Sequence, residues 1–371
     1  MNQYSLIVKY IRDNQNWKTD FDNLGIKYKS DTYFTIFNYG IACDFSNPLV
    51  QEARGIILDS NTLDVACWPF RKFGNFTESY HDEIDWKTAR VQEKVDGSIV
   101  KLFWNPYTSK WQWATNGVIN AADAPIESLW SKNFLEVIQK ANNYKDIPFD
   151  SLDTAKTYIF ELVGPENRVV INYAINHLYH IGTRSNITGQ EFNDDIGIEK
   201  PKEYAVNTFD DCLNAVEQLN TSEDGQVEHE GFVVVDGNWH RIKIKSSAYL
   251  FYHHYTNGVL FNKSKILKLL QSDDVNIQAM IDQWPEYTEI FEFYQSEIER
   301  VETEVDQFIT EVRAAYAQSQ NRKVIAQTYG KHQYASFGFK ALENNKTAKE
   351  LLAECVQSRY ERLIRDLQSN E

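Results

Sequence analysis

What the chain lacks narrows its class before any motif is read. Its four cysteines, Cys43, Cys67, Cys212 and Cys355, are far apart. They show no Cys-x-x-Cys spacing and no neighbouring histidine or cysteine to complete a zinc site, so reduced thiols in a cytoplasmic protein are expected. Long hydrophobic runs are missing too. The apolar stretch in "MNQYSLIVKYIRDNQNW" is broken by Lys9 and Arg12, which excludes a signal peptide or a membrane span at that point. Excess positive charge is absent: the formal net charge is −15. A generally adhesive, histone-like nucleic-acid binder is thereby excluded, although acidic helices elsewhere leave room for a local basic cleft. There is no internal repeat and no low-complexity linker.

Hydrophobic residues make up 42% of the 371 positions and aromatics 14%, enough for packed interiors without disulfides. The length suggests a large domain and a smaller one. Strand-like alternation recurs in "YFTIFNY", "RGIILDS", "SIVKLFW", "WQWAT", "TYIFELV", "HLYHIGT", "GFVVVDG" and "HRIKIKS". Helical segments are expected near 126–142 and 208–219. After Ser247 the period changes to that of helices, including a long one near 287–318 whose apolar positions hold no clean heptad. The fold class is therefore α+β: an antiparallel-rich domain over residues 1–248, followed by an all-helical domain over 249–371.

The stretch "VQEKVDGSIV" reads as strand, Asp96-Gly97 turn and strand, a hairpin with Lys94 on its shoulder. Alone it is ordinary. A nucleophilic lysine needs help, because with a reference pKa near ~10.4 only about a thousandth of it is neutral at pH 7. Candidate helpers recur along the β-rich region. Lys243 and Lys245 are two apart on one strand and share a face. Glu230 opens the strand that the Asp236-Gly237 turn folds back onto them. Glu161 ends "YIFELV", with Arg168 soon after, and Arg54 and Lys72 stand in "EARGIIL" and "RKFGNF".

In the order "RG", "KFGNF", "KVDGS", "FELVGPENRVV", "EGFVVV", "KIK", these motifs resemble the covalent nucleotidyltransferase superfamily of ligases and capping enzymes, and within it the phage-type RNA ligase 1 family. The resemblance covers residues 33–249; the helical tail matches only in position and character. It implies an ATP-dependent RNA ligase, with Lys94 carrying AMP as a covalent adduct. Catalytic roles would fall to Lys94, Lys243, Lys245, Glu161 and Glu230, with Glu230 serving Mg²⁺ or Mn²⁺ directly or through water. ATP-binding roles would fall to Arg54, Lys72, Glu93, Asp96 and Gly97, with Tyr249 stacking on adenine and Phe37 walling the pocket. RNA bearing 5′-phosphate and 3′-hydroxyl ends is the implied partner, tRNA among the candidates, and a monomer is expected. A family lysine is replaced by Asn116 in "ATNG", for which Lys101 or Lys110 would have to compensate. A DNA ligase or capping enzyme, and a non-catalytic RNA-binding protein with a relic pocket, are the alternatives.

Overall fold

The computed structural model describes residues 4–40, 42–126, 132–219, 227–256, 263–271 and 277–367. Two compact units divide the chain, residues 1–260 and 261–371.

The first unit opens with α1 (Leu6–Asp13), capped by the Ser5 hydroxyl, which accepts from the Val8 N–H, and α2 (Trp17–Asn23). Strands β1 (Ile26–Ser30), β2 (Phe34–Tyr39), β3 (Arg54–Asp59) and β4 (Val65–Cys67) pair in that order as an antiparallel sheet. Helix α3 (Pro48–Glu52) crosses between β2 and β3. Its buried Glu52 accepts from the Ser5 hydroxyl at 3.0 Å and the Ile7 N–H at 2.7 Å, which ties the amino-terminal helix down.

Beyond these run β5 (Arg90–Glu93), β6 (Ser98–Asn105), β7 (Lys110–Thr115), the short pair β8 (Pro125–Ile126) and β9 (Lys132–Asn133), β10 (Lys156–Val163), β11 (His177–Ser185), β12 (Glu191–Phe192), β13 (Glu203–Tyr204), β14 (Gly231–Val235) and β15 (Arg241–Lys245). They form a five-stranded sheet in the order β12-β11-β10-β6-β7 and a four-stranded sheet in the order β13-β5-β14-β15. Helix α4 (Phe134–Gln139) packs into the core of the first and α5 (Phe209–Gln218) into that of the second. Each sheet buries a face of alternating aliphatic and aromatic side chains, as half-buried strands require. The helix expected over 126–142 is shorter, because residues 132–133 belong to β9 and α4 ends at Gln139; residues 127–131 lie outside the described set.

The hairpin expected at "VQEKVDGSIV" is not one. Strand β5 lies in the four-stranded sheet and β6 in the five-stranded sheet, so residues 94–97 cross from one sheet to the other. The physical reason lies in distant partners. Strand β14 claims β5, with Phe232 opposite Glu93, and β10 claims β6, with Leu162 opposite Ser98.

Helix α6 (Ser247–Thr256) closes the first unit, so the compact division falls later than residue 248. Every element of the second unit among the described residues is helical: α7 (Lys263–Leu270), α8 (Ile277–Gln283), α9 (Thr288–Ser319), α10 (Arg322–Tyr329), α11 (Ala335–Glu343), α12 (Ala348–Ala353) and α13 (Gln357–Leu363), with a 3-10 turn at Pro285–Tyr287. Helix α9 buries Val301, Val305, Phe308, Ile309 and Val312. No helix among the described residues is long and apolar enough to cross a membrane.

Candidate active site

The crossover is held rigidly by its own residues. The Lys94 N–H donates to the Gly231 carbonyl at 2.8 Å. The Asp96 side chain, 2% exposed, accepts the N–H groups of Val170 and Ile171 at 2.8 Å on one oxygen and the Tyr249 hydroxyl at 2.7 Å on the other. The Asp96 N–H donates to the Tyr173 hydroxyl at 3.2 Å. A Cβ on Gly97 would stand 2.2 Å from the Leu162 carbonyl oxygen, so only glycine lets the chain pass this close to β10.

These anchors aim Lys94 into a cavity of about 490 Å³ lined from both sheets, within the usual range for small-molecule sites. Arg54, Glu93, Lys94, Glu161, Lys243 and Lys245 line it, with Phe73, Ile99 and Val233 as apolar walls. The lysines on β15 arrive by register: Gly231 lies opposite Lys245 and Val233 opposite Lys243, which puts both ammoniums on the cavity face. Behind them Glu230, 2% exposed, bridges two cations. One oxygen is 2.6 Å from the Lys94 ammonium and the other 2.8 Å from that of Lys245.

Crowding these charges moves their protonation in opposite directions. Burial pushes the Lys94 ammonium down, but Glu230 and Glu161 outweigh it and the net shift is upward. Lys94 is therefore held as a cation when no substrate is bound. Burial works against the Glu230 carboxylate, yet Lys94 and Lys245 hold it below the ordinary range. Lys243 forms no such ion pair among the described residues. Burial, and then the repulsion of Arg54, Lys72, Lys94 and Lys245, push it down to about 6, while its ammonium rests over the Phe73 ring at 4.8 Å. Burial pushes Glu161 up to about 7, although Lys94 opposes the shift. A cleft whose cations repel one another and whose Lys243 forms no ion pair among the described residues is prepared for an anion.

Four expected ligand contacts fall elsewhere. Phe37, 1% exposed, packs with Phe21, Trp17 and Tyr28 in the core behind the first sheet. It does not line this cavity, because that side of β2 faces α1 and α2. Tyr249, also 1% exposed, does not line the cavity; its ring is buried and its hydroxyl is spent on Asp96, so it is not placed to stack on a base. Asp96 is an internal clamp. Lys72 stands outside the cavity lining, over the rings of Phe45 and Tyr39 at 4.8 and 5.6 Å, though close enough for Arg54 and Lys245 to depress it after burial has done so. Neither suggested substitute for the family lysine reaches the cavity. Lys101 is wholly buried, donates to the Gly55 carbonyl at 2.5 Å and is pushed down by burial to about 8. Lys110 is exposed at the far end of β7. Asn116 does line the cavity, and its side-chain oxygen is buried without a hydrogen-bond partner.

One cavity residue escaped the sequence reading although its signal was present. Arg241 continues the alternation of Lys243 and Lys245, lines the cavity, pairs with Glu191 at 2.6 Å and lies over the Phe70 ring at 4.1 Å.

No group of three or more His, Cys, Asp or Glu side chains among the described residues is arranged to hold a metal ion. The donor set instead fits a divalent cation of the kind bound by one or two carboxylates together with phosphate oxygens and water. Glu161 faces the cavity with no ion pair among the described residues, and Glu230 lies beside it.

Two antiparallel sheets joined by a lysine-bearing crossover flank this cationic cleft. In sequence the chain is similar to RNA ligases. It is 30% identical over 269 residues to a protein of Autographa californica nuclear polyhedrosis virus assigned as a bifunctional polynucleotide kinase/RNA ligase, covering 67% of this chain and 38% of that one. It is 24% identical over 406 residues to the RNA ligase of Rhodothermus phage RM378, covering 89% of this chain and 90% of that one. A solved archaeal ATP-dependent RNA ligase superposes with a TM-score of 0.48 at 13% identity, over 80% of this chain and 82% of the other. No family model matches the chain.

Proposed function

We propose that the protein is an ATP-dependent RNA ligase that works through a covalent lysyl-AMP. The observation that carries this is Lys94, fixed on a rigid crossover and facing a cavity whose phosphate-binding candidates are Arg54, Lys243 and Lys245.

Three displacements at phosphorus follow. First the neutral Lys94 amine attacks the α-phosphorus of ATP, forming a P–N bond as the bond to pyrophosphate breaks. The terminal phosphate of a 5′-phosphorylated RNA then takes AMP from the lysine, which recovers its amine. Finally a 3′-hydroxyl attacks the adenylated 5′-phosphate, the phosphodiester forms and AMP leaves. Lys243 and Lys245 stabilise charge on the α-phosphate oxygens, and Arg54 takes the departing pyrophosphate. Glu161 receives a ribose hydroxyl, and Glu93 meets the adenine edge. A divalent cation, held by Glu230 with help from Glu161, would neutralise phosphate charge. Competition for Glu230 would loosen its hold on Lys94.

A second unit built of helices among its described residues, rather than a β-barrel module, favours an RNA ligase over DNA ligases and capping enzymes. RNA repair, of tRNA among other substrates, is the setting that fits, inside the cytoplasm of a bacterial or phage-infected cell.

The test is direct. Incubated with α-labelled ATP and Mg²⁺ or Mn²⁺, the protein should retain label, should not do so with GTP, and should lose the capacity with Lys94→Ala. An unlabelled wild-type protein would overturn the reading. Offering the adenylated protein single-stranded RNA, nicked duplex and cleaved tRNA in parallel identifies the substrate.

A further inference from the structure

One face of β6 carries a charge where its pattern calls for hydrocarbon. Val100 and Leu102 enter the core of the five-stranded sheet, and by the two-residue period of a strand Ile99, Lys101 and Phe103 point to the other side. Ile99 walls the cavity, and Phe103 packs with Phe34, Ile36 and Ile57. Between them stands Lys101, 0% exposed. Its neighbours across the ladder, Ile159 on β10 and Ala114 on β7, bring it no counter-charge. An ammonium taken out of water is costly, and what it bonds to identifies its use.

Lys101 reaches across to the first sheet and donates to the Gly55 carbonyl at 2.5 Å. Gly55 is the extra residue of a β-bulge. Asn38 of β2 faces Arg54 and Phe37 faces Ile56, which leaves Gly55 without a ladder partner, at a φ of +82°. A bulge re-aims the side chain beside it, and here that side chain is Arg54. Its guanidinium lines the cavity 5.4 Å from the centroid of the Phe73 ring, while its Nε is buried without a hydrogen-bond partner. Its position is therefore set by the Phe73 face and by the backbone behind it.

The bulge is closed in from two further elements. A Cβ on Gly55 would stand 2.7 Å from the Lys101 Nζ and 2.7 Å from the carbonyl oxygen of Asn116, which follows β7 and lines the cavity. Burial pushes the Lys101 ammonium down to about 8, a shift that Cys67 opposes and Arg54 reinforces, so the two cations sense each other.

We infer that Lys101 is a positioning residue for the transfer of AMP from ATP: bonded to the Gly55 carbonyl, it fixes the bulge that aims Arg54 at the departing pyrophosphate. It touches no substrate itself. The inference rests on the ligase reading, and it gives a use to a buried charge that takes no part in the displacements at phosphorus.

The test compares full-length chains carrying Lys101→Met, Arg54→Ala and both changes with the wild type, their folding checked by circular dichroism and urea unfolding. Methionine keeps a long unbranched side chain and deletes the donor. Since a misplacement of about 1 Å can cost about a hundredfold, Lys101→Met should lower kcat/KM for ATP in adduct formation about ten- to a hundredfold. In the reverse reaction, where pyrophosphate takes AMP back from the lysine as ATP, the KM for pyrophosphate should rise by about the same factor. Sealing of RNA whose 5′ end is already adenylated involves no triphosphate and should stay within about twofold of the wild type. Because Lys101 acts through Arg54, the double variant should form adduct no more slowly than Arg54→Ala alone.

Equal losses in adduct formation and in sealing of pre-adenylated RNA would reduce Lys101 to a structural role and overturn the inference. So would losses that multiply in the double variant, or an unchanged KM for pyrophosphate. If the methionine chain does not fold, Lys101→Gln, which removes the cation and shortens the donor, carries the same comparison. A wild-type protein that forms no adduct with ATP counts instead against the ligase reading.

Discussion

The Tyr249 hydroxyl donates to Oδ1 of Asp96 at 2.7 Å, joining α6 to the crossover that carries Lys94. With Asp96 accepting two backbone N–H groups on its other oxygen, this bond completes the fixing of the loop that carries the proposed nucleophile. Tyr249→Phe keeps the ring and deletes the donor. A hydrogen bond to a buried carboxylate is worth about 1.5–3 kcal/mol. The variant should melt lower by that order and form the lysine adduct more slowly, with the KM for ATP little changed. Single-turnover labelling over a range of ATP concentrations, beside denaturant unfolding, reads both. An unchanged adduct rate would show that the clamp is structural only.

Gly97→Ala tests the crossover by sterics. The new methyl would meet a backbone carbonyl at 2.2 Å, not a flexible side chain, so neither partner has an easy way to yield. A loss of about 3 kcal/mol is expected, measured by urea unfolding. A near-neutral result would mean that the two sheets separate readily.

The pH dependence of stability separates two cavity groups. Lys243 is pushed down to about 6 in the folded chain, whereas the unfolded chain keeps an ordinary value near ~10.4. The unfolded state therefore binds more protons between those limits, and this contribution gains stability as pH rises through the window and loses it as pH falls toward 6. Glu161, pushed up to about 7 from an unfolded value near ~4.3, runs the other way: its contribution is present at low pH and is lost as pH rises to 7. Lys243→Met should melt above the wild type at pH 6, and the gap should close toward pH 10. Glu161→Gln should open a gap as pH climbs from 5 to 7. Melting of the nucleotide-free proteins across pH checks both, and parallel curves would count against the assignment.

Removing the divalent cation should abolish adduct formation, because its share in neutralising the phosphates, beside that of Arg54, Lys243 and Lys245, is then lost. Chelation followed by Mg²⁺ or Mn²⁺ should restore labelling, while ATP alone should still raise the melting temperature by occupying the cationic cleft. Full labelling in chelator would remove the metal from the mechanism.

The strands of the first unit were legible because alternating burial leaves a period of two, and "HRIKIK" disclosed its cation face in the same way. Arg241 belonged to that pattern and was overlooked because Glu191 and Phe70, which hold it, lie on other segments. The helical period likewise placed the long helix within a residue of its observed ends, Thr288 and Ser319. The crossover was beyond local reading. Two strands separated by Asp-Gly look the same whether they pair with each other or with strands far along the chain, and here Glu93 meets Phe232 and Ser98 meets Leu162. Phe37 and Tyr249 failed for a related cause, since an aromatic residue's place in a motif does not say whether its ring faces a cavity or a core. The cation that Asn116 lacks has no replacement lining the cavity at the positions first considered, Lys101 and Lys110.

The bridge from Glu230 to Lys94 and Lys245 has a further consequence for timing. In the proposed reaction, once Lys94 carries AMP its nitrogen is no longer an ammonium, and one oxygen of Glu230 loses its partner while Lys245 keeps the other. The empty and the loaded enzyme thus differ by a full charge at a carboxylate that almost no solvent reaches. The second displacement begins in an electrostatic setting that the first has rewritten, and the site carries an internal record of whether it is charged with nucleotide.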